Sequence, residues 1–252
     1  MLYGLYVSAA GALANSHRQD VGANNLANVD TVSFKRDLAQ AQARLTEAQI
    51  SGPRRYTDRV LEGTGGGILL LPTFTDFSPS SLEVTERDFD LALEGRGFFQ
   101  VQRGDQAHYT RDGRFTVDES GQLVTFTDQL PVLDESGEAI YLDRTLDFKV
   151  NDAGLISQGG GAVGRLGVVD FADTSVLVKQ GNNIYVNQGG GEPQPALVKV
   201  KQGALENSGV NAITEMMEMI EAQRAFQMNL SMLQLQDQTL GLAVGQLGSI
   251  NR

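Results

Sequence analysis

Residues 211–250 read NAITEMMEMIEAQRAFQMNLSMLQLQDQTLGLAVGQLGSI, and this stretch decides the fold. Apolar side chains recur in it at every seventh position, with further ones three or four positions away, as in a helix that packs on another helix. These residues are Met219, Phe226, Leu230, Leu233, Leu240, Val244 and Leu247. Asn211 is a suitable N-cap, and Glu215 places negative charge in the first turn, where the helix dipole favours it. The pattern predicts one long C-terminal helix with an apolar stripe.

The rest of this helix is unusually poor in charge. Between Ala225 and Asn251 the sole charged residue is Asp237. A helix exposed to water normally carries Lys and Glu on its outer face, so this composition favours a helix that other helices surround. The alternative is an ordinary core helix of one globular domain, which has a similar composition.

The N-terminus predicts a second charge-poor helix, from Met1 to about Val29. Residues 8–14 include a run of small side chains that would let another helix approach closely. Leu13 and Leu26 join the C-terminal apolar residues on the predicted assembly face. Neither helix has enough apolar surface to fold alone, so we expect the two to pair with each other and with further copies of the chain.

Between the first helix and the β-rich centre, residues 37–67 are predicted to form a short helix and a glycine-rich connector. Residues 37–50 are rich in Ala and Gln, and their apolar residues recur at helical spacing. Ser51-Gly52-Pro53 would end that helix. The glycines between Gly63 and Gly67 lack the Gly-Lys-Ser/Thr ending of a phosphate-binding loop. This segment is therefore interpreted as a flexible hinge.

Residues 68–202 predict a β domain of short strands. Asp112-Gly113 lies between two β runs and predicts a two-residue hairpin. A turn pattern also repeats at intervals of 16 and 17 residues, with Asp or Asn opening each turn and Gly closing it. The three copies are residues 117–121, 133–137 and 150–154. They predict successive hairpins in a mostly antiparallel domain.

Composition excludes several classes of function. The 252 residues carry a net charge of −11 and no basic patch, so we expect no nucleic-acid partner. Cysteine is absent, which removes disulfides and thiolate sites. No run of about 18 apolar residues is present, so membrane insertion is not expected. The N-terminus also lacks the basic and apolar regions of a cleaved signal peptide.

No catalytic constellation emerges from the sequence. The two histidines, His17 and His108, fall in different modules, and a zinc site without Cys would need carboxylates around one of them. A glycosidase-like pair such as Glu83 and Glu94 is possible in principle, but solvated acidic residues on a β domain explain these carboxylates more simply. We expect no catalytic residue, no metal and no cofactor.

Three blocks of sequence resemble the bacterial flagellar basal-body rod and hook proteins. The first is NNLANVDT at residues 24–31 followed by Phe34-Lys35-Arg36, the second is LALEGRGFFQV at 91–101 with YTRDGRF at 109–115, and the third is LENSGVN at 205–211 with EMMEMIEAQRAF at 215–226. The signature residues within them are Asn24, Asn25, Asn28, Phe34, Lys35, Gly95, Gly97, Phe98, Phe99, Asp112, Gly113, Gln223 and Arg224. Ser33 stands where the family usually has Gly, and Gly209 where it usually has Asn.

The resemblance implies an α+β protein in which the N- and C-terminal helices pair as a coiled coil and a central, mostly antiparallel β domain of short strands and hairpins lies further out. The implied domains are residues 1–36 and 203–252 for the two helices, 37–67 for the connector and 68–202 for the β domain. The implied function is a structural, non-enzymatic subunit of the rod, the tubular drive shaft that transmits torque from motor to hook.

The resemblance also implies partners and a location. The partners are further copies of the chain, other rod proteins and the flagellar type III export apparatus, and the location is the periplasmic rod, reached without a cleaved signal peptide. The opening residues, residues 75–79 and Gly209 look more like the proximal than the distal rod proteins. The alternatives are a distal rod or hook-type subunit of the same superfamily, or a wall-acting periplasmic enzyme.

Overall fold

The computed structural model describes residues 2–45, 65, 67–104 and 106–249, and within them the side chains of 3–45 and of residues up to 245. In the described residues, one long helix precedes seventeen strands along the chain and a second long helix follows them. The helices are α1 (Leu2–Ala27) and α2 (Ala212–Ser249), with a short 3-10 helix at Thr174–Val176. The strands are β1 (Asp37–Ala43), β2 (Ile68–Thr75), β3 (Leu82–Val84), β4 (Leu91–Glu94), β5 (Phe98–Arg103), β6 (Gln106–Thr110), β7 (Phe115–Val117), β8 (Leu123–Thr125), β9 (Phe148–Val150), β10 (Leu155–Gln158), β11 (Gly161–Arg165), β12 (Val168–Asp170), β13 (Leu177–Lys179), β14 (Ile184–Asn187), β15 (Gln194–Pro195), β16 (Lys199–Gln202) and β17 (Ala204–Glu206).

The chain forms two compact units. The helical unit comprises residues 1–27, 37–74 and 212–252, and the β unit comprises residues 28–36 and 75–211. Two helices that contact each other and a central β-rich region are therefore present, as the sequence predicts. Residues 68–74, which the sequence assigned to the β domain, fall in the helical unit.

In the helical unit, α1 and α2 pack against each other in antiparallel directions. Gly22, Gly11 and Gly4 of α1 lie against residues progressively further along α2, namely Met219, Asn229 and Gln236. A two-stranded sheet of β1 and β2 completes the described part of this unit, and β1 contacts α1.

The short helix predicted from residue 37 is wrong, because Asp37–Ala43 is strand β1. Its Ala and Gln residues have weak conformational preferences that tertiary contacts override. Here the Asn25 side chain accepts a hydrogen bond from the Asp37 amide at 3.0 Å and donates one to the Asp37 carbonyl at 2.8 Å. Residues 46–64, with the end of that predicted helix and the start of the glycine hinge, lie outside the described residues.

The β unit is built from short antiparallel ladders. Its largest sheet has six strands in the order β13-β14-β6-β5-β12-β15, and β11-β10-β9 form a three-stranded sheet. Three strand pairs, β16-β4, β17-β3 and β7-β8, accompany them. Because side chains alternate across a strand, β5 serves two apolar clusters: Phe99 and Val101 belong to one, and Phe98 belongs to the other.

The three repeated turns are confirmed, and each uses one hydrogen-bond pattern. Asp118, Asp134 and Asn151 each accept, through the side-chain Oδ1, the amides two and four residues later. The closing residues Gly121, Gly137 and Gly154 have φ values of 84°, 84° and 77°, in the left-handed region that glycine tolerates. The first turn joins β7 to β8 and the third joins β9 to β10.

The hairpin predicted at Asp112-Gly113 is wrong. The flanking strands belong to different sheets, since β6 pairs with β5 and β14 whereas β7 pairs with β8. Gly113 is needed for space instead: a Cβ there would lie 1.6 Å from the Leu91 carbonyl oxygen, and its own carbonyl accepts the Leu91 amide. Asp112 binds Arg114 through two side-chain hydrogen bonds of 2.9 and 2.6 Å.

Candidate assembly interface

The two helices meet along a seam on α2 whose residues are spaced three and four positions apart. The seam comprises Glu215, Met219, Ala222, Phe226, Asn229, Leu233, Gln236 and Leu240, all buried or half-buried. Against it α1 presents glycines: a Cβ on Gly22 would lie 2.8 Å from Met219 Cγ, and one on Gly11 would lie 3.0 Å from Asn229 Oδ1. The absence of side chains at these α1 positions lets the helix backbones approach closely, and amide side chains fill part of the seam.

The predicted assembly face divides between this seam and the outside of the helix pair. Met219, Phe226, Leu233 and Leu240 lie in the seam, and Leu26 of α1 is half-buried. Leu13, Leu230 and Val244 are exposed to 65%, 39% and 69%, and the side chain of Leu247 lies outside the described residues. Their contacts with neighbouring subunits stay a prediction.

A second apolar stripe runs along the opposite side of α2. We call it the outer stripe; it consists of Ile213, Met217, Ile220, Met228, Leu235 and Leu242, with exposed fractions between 47% and 73%. At about 100° of rotation per residue, these side chains point roughly away from the seam. Exposed apolar side chains that continue along several helical turns form a larger patch than the scattered ones usual on a protein surface.

A cavity of about 550 Å³ opens between α1, β1 and α2, and we call it the acid groove. Its lining carries four carboxylates, those of Asp37, Glu215, Glu218 and Glu221, and one guanidinium, that of Arg18. Glu215 is 2% exposed and accepts a hydrogen bond from the Asn25 amide at 3.4 Å. The remaining lining includes small and apolar residues such as Val21 and Ala225.

In the β unit, three buried charges form one cluster. The Lys35 Nζ lies 2.7 Å from Glu206 Oε1, and Arg111 Nη1 lies 3.3 Å from Glu206 Oε2, with all three side chains at most 2% exposed. Burial lowers the pKa values of Lys35 and Arg111, while the Glu206 carboxylate opposes both shifts. One carboxylate faces two cations, and backbone carbonyls supply further hydrogen-bond acceptors. Lys35 donates to the Ser78 carbonyl at 2.8 Å, and Arg111 donates to the Gly95 carbonyl at 2.6 Å.

This cluster brings the three sequence blocks together. Lys35 comes from the first block, Arg111 from the second and Glu206 from the third. Backbone hydrogen bonds reinforce it, because the Ser33 amide donates to the Glu206 carbonyl at 2.8 Å and the Gly209 amide to the Phe34 carbonyl at 2.8 Å. The segment after α1 and the segment before α2 therefore lie side by side within the β unit.

The other signature residues have mainly structural surroundings. The Thr31 hydroxyl donates a hydrogen bond to the Asn28 side-chain oxygen, and the Thr31 amide donates one to the Asn28 carbonyl. The Lys179 ammonium lies 4.2 Å from the centre of the Phe34 ring. Gly95 and Gly97 have positive φ values of 130° and 154°. Asn24, Gln223 and Arg224 are exposed on the helices.

Sequence patterns missed the polar residues at the buried sites. Glu206 and Arg111 sit in the quoted motifs, but periodicity places charged residues at the surface and gave no reason to bury them. Asn229 and Gln236 were not selected because the stripe was drawn from apolar residues, although they follow the same three–four spacing as Phe226 and Leu233. That spacing was the available signal for the seam.

His108 bonds to Gln106 and Gln180, whereas Glu83 and Glu94 are exposed on the separate strands β3 and β4. No group of three or more metal-binding side chains occurs in the part of the chain that the structure describes. None of the helices described is long and apolar enough to cross a membrane.

Comparison with known proteins agrees with this arrangement. Three family models match in chain order: Flagella basal body rod protein over residues 5–35, Flagellar hook protein FlgE/F/G D1 domain over 92–158, and Flagellar basal body rod FlgEFG protein C-terminal over 201–245. The first match covers most of α1, the second covers β5 to β10, and the third covers β17 and most of α2.

Individual rod proteins match along nearly the whole chain. The flagellar basal-body rod protein FlgF of Caulobacter vibrioides is 36% identical over 98% of this chain and 98% of its own length. The rod protein FlgG of Buchnera aphidicola subsp. Schizaphis graminum is 32% identical over 95% of this chain and 98% of its own, and FlgG of Bacillus subtilis is 32% identical over 95% and 97%. With such identity across both helices and the β unit, the chain belongs to the flagellar basal-body rod protein family.

Proposed function

We propose that this structural subunit of the flagellar rod polymerises through α1 and α2 to build the tubular drive shaft between motor and hook. The observation that carries the proposal is the outer stripe, whose six large apolar side chains are all exposed in the single chain. Burying them against a neighbouring subunit would contribute roughly 1.5–3 kcal/mol per fully buried side chain, before the costs of association.

We further propose that α1 and α2 pair as an antiparallel coiled coil. The three–four spacing of the seam is the pattern of coiled-coil contact positions, and polar residues such as Asn229 and Gln236 within a seam fix the register of the helices at some cost in stability. Because α1 contributes glycines and α2 contributes the amides Asn229 and Gln236 to the seam, an isolated pair buries less apolar surface than a fully apolar seam would. Neighbouring subunits would then supply much of the stability of both helices.

The location and partners follow from family membership as part of the same proposal. The subunit would leave the cytoplasm through the flagellar type III export apparatus, without a cleaved signal peptide, and join other rod proteins in the periplasm. Its similarity to FlgF supports a place in the proximal rod, with FlgG-type distal subunits as the alternative.

The experiment is to measure assembly of the purified chain by sedimentation and electron microscopy over a range of concentrations. Wild type should form filaments above a critical concentration. Leu235→Asp should not, because assembly would bury an unpaired carboxylate at a site where 57% of the leucine is exposed in the single chain. Asp237→Lys also changes a charge on α2, but away from the outer stripe, and should assemble like wild type.

Two results would count against the proposal. A wild-type chain that stays monomeric at every concentration would remove its basis. Normal filaments from Leu235→Asp would show that the outer stripe is not buried between subunits.

A further inference from the structure

One charged residue interrupts the outer stripe. Arg224 lies on the same side of α2 as Ile220 and Met228, one turn from each, and its side chain is exposed. It forms no ion pair with any residue that the structure describes, although Glu221 lies three positions before it on the same helix. With Ile220 and Met228 of the stripe on either side of it along the helix, the Arg224 guanidinium would be buried together with them in any contact that covers the stripe.

Burial of an unpaired cation costs several kcal/mol, so a partner that covers the outer stripe must supply an acceptor to Arg224. Arg favours carboxylates, which it binds through two parallel hydrogen bonds. The partner surface should therefore combine carboxylates with enough apolar wall to take the rest of the stripe.

The acid groove meets both requirements. Four carboxylates line it against the single guanidinium of Arg18, and it has apolar walls from Val21, Ala222 and Ala225. The volume of about 550 Å³ is ample for an arginine side chain. Arg224 is not among the residues that line the groove of its own chain, and it forms no described ion pair with Glu221, the groove carboxylate one turn before it on α2. Glu215 and Glu218 face a different direction on the helix.

We propose that Arg224 of one copy of this chain enters the acid groove of the next copy, while the outer stripe packs beside it. The inference rests on the proposed function, since it assigns the contact through which copies polymerise. The two surfaces lie on different faces of the same subunit, so the contact is heterologous. Repeated heterologous contacts build an open helical assembly when the rotation between subunits does not close a ring. A tubular rod requires this open helical kind of assembly.

Charge reversal tests the contact in the assembly assay. Arg224→Glu places a carboxylate against four others, and the double variant Glu218→Lys/Glu221→Lys turns the groove basic at two exposed positions. Each should raise the critical concentration tenfold or more, because like charges meet at a desolvated contact. Circular dichroism should show unchanged β content in both.

Complementation distinguishes this contact from general damage to α2. In an equimolar mixture, the reversed Arg224→Glu side chain can enter the basic groove, and the native Arg224 of the groove variant can enter the acidic one. The mixture should assemble near the wild-type critical concentration, and so should a chain that carries all three substitutions. Asp237→Lys serves as the charge control on the same helix.

The outcomes separate this inference from the proposed function. If wild type assembles and both reversed variants assemble equally well, the Arg224 contact is refuted while polymerisation stands. If the single variants fail and their mixture also fails, the pairing of Arg224 with the groove is refuted. A wild-type chain that never associates refutes both proposals.

Discussion

At the scale of single residues, the cluster of Lys35, Glu206 and Arg111 is the feature that sequence patterns predict least well. Its three members are distant in the chain and individually resemble surface charges. The resemblance to rod proteins identified Lys35 as a signature residue, but the reason for its presence lies in contacts with Ser78 and Glu206 that no local pattern shows.

Ser33 has a backbone conformation that accounts for the Gly usually found at this position in the family. Rod proteins usually have Gly at this position, and Ser33 has a φ of 57°, in the left-handed region where a side chain costs roughly 1–2 kcal/mol. The Ser33 hydroxyl lies 3.4 Å from the Glu206 carbonyl, which gives the side chain a buried partner.

We predict that Glu206→Gln lowers the free energy of unfolding of the β unit by about 3–5 kcal/mol, because it leaves the buried Lys35 and Arg111 without a compensating charge. Urea denaturation followed by tyrosine fluorescence measures this, since the chain has six Tyr and no Trp. The matched control is Glu135→Gln, whose ion pair with Arg165 at 3.6 Å is exposed and should matter by less than about 1 kcal/mol. Equal effects of the two substitutions would contradict the role assigned to the cluster.

At the scale of elements, local sequence chemistry predicted the repeated turns correctly. The predictions at Asp112-Gly113 and at β1 were wrong because long-range packing determines those structures. The repeated turns were predictable because Asp or Asn at the start and Gly at the end satisfy the turn without help from the rest of the molecule. Asp112-Gly113 has similar residues but joins strands of two different sheets, and its glycine is needed because the Leu91 backbone lies beside it. Strand β1 was mistaken for a helix because its conformation depends on Asn25 and β2, which lie outside the segment.

The turn of Asp118 predicts a dependence of stability on acid pH. A hydrogen bond from the Ser120 hydroxyl, followed by backbone amides, lowers the pKa of Asp118 below its ordinary value of 3.8. The unfolded chain therefore binds this proton more readily, so the contribution is present above about pH 4 and is lost as pH falls through the folded-state pKa.

We expect Asp118→Asn to reduce the loss of stability between about pH 4 and pH 2, because Asn keeps the turn's acceptor and does not titrate. Thermal unfolding at a series of pH values measures the slope. Ser120→Ala, which keeps the carboxylate and removes its main donor, should reduce the slope in part. An Asp118→Asn chain with the full wild-type slope would contradict the assignment.

At the scale of the whole molecule, the two units differ in how they gain stability. The β unit buries two apolar clusters of its own, including fully enclosed residues such as Leu91 and Ile156. The described part of the helical unit buries few large side chains: its buried residues are small or polar, such as Ala12, Ala222 and Glu215. The sequence pointed to this contrast, since neither helix has enough apolar surface to fold alone, but it did not show that α2 has a second, exposed apolar side.

We infer that the terminal helices obtain much of their stability from neighbouring subunits. Hydrogen exchange with peptide-level mass spectrometry tests it directly, on a monomer verified by sedimentation and on the assembled filament. Residues 2–27 and 212–249 should exchange rapidly in the monomer and become strongly protected in the filament, while the β unit is protected equally in both. Strong protection of both helices in the verified monomer, with no further change on assembly, would contradict the account.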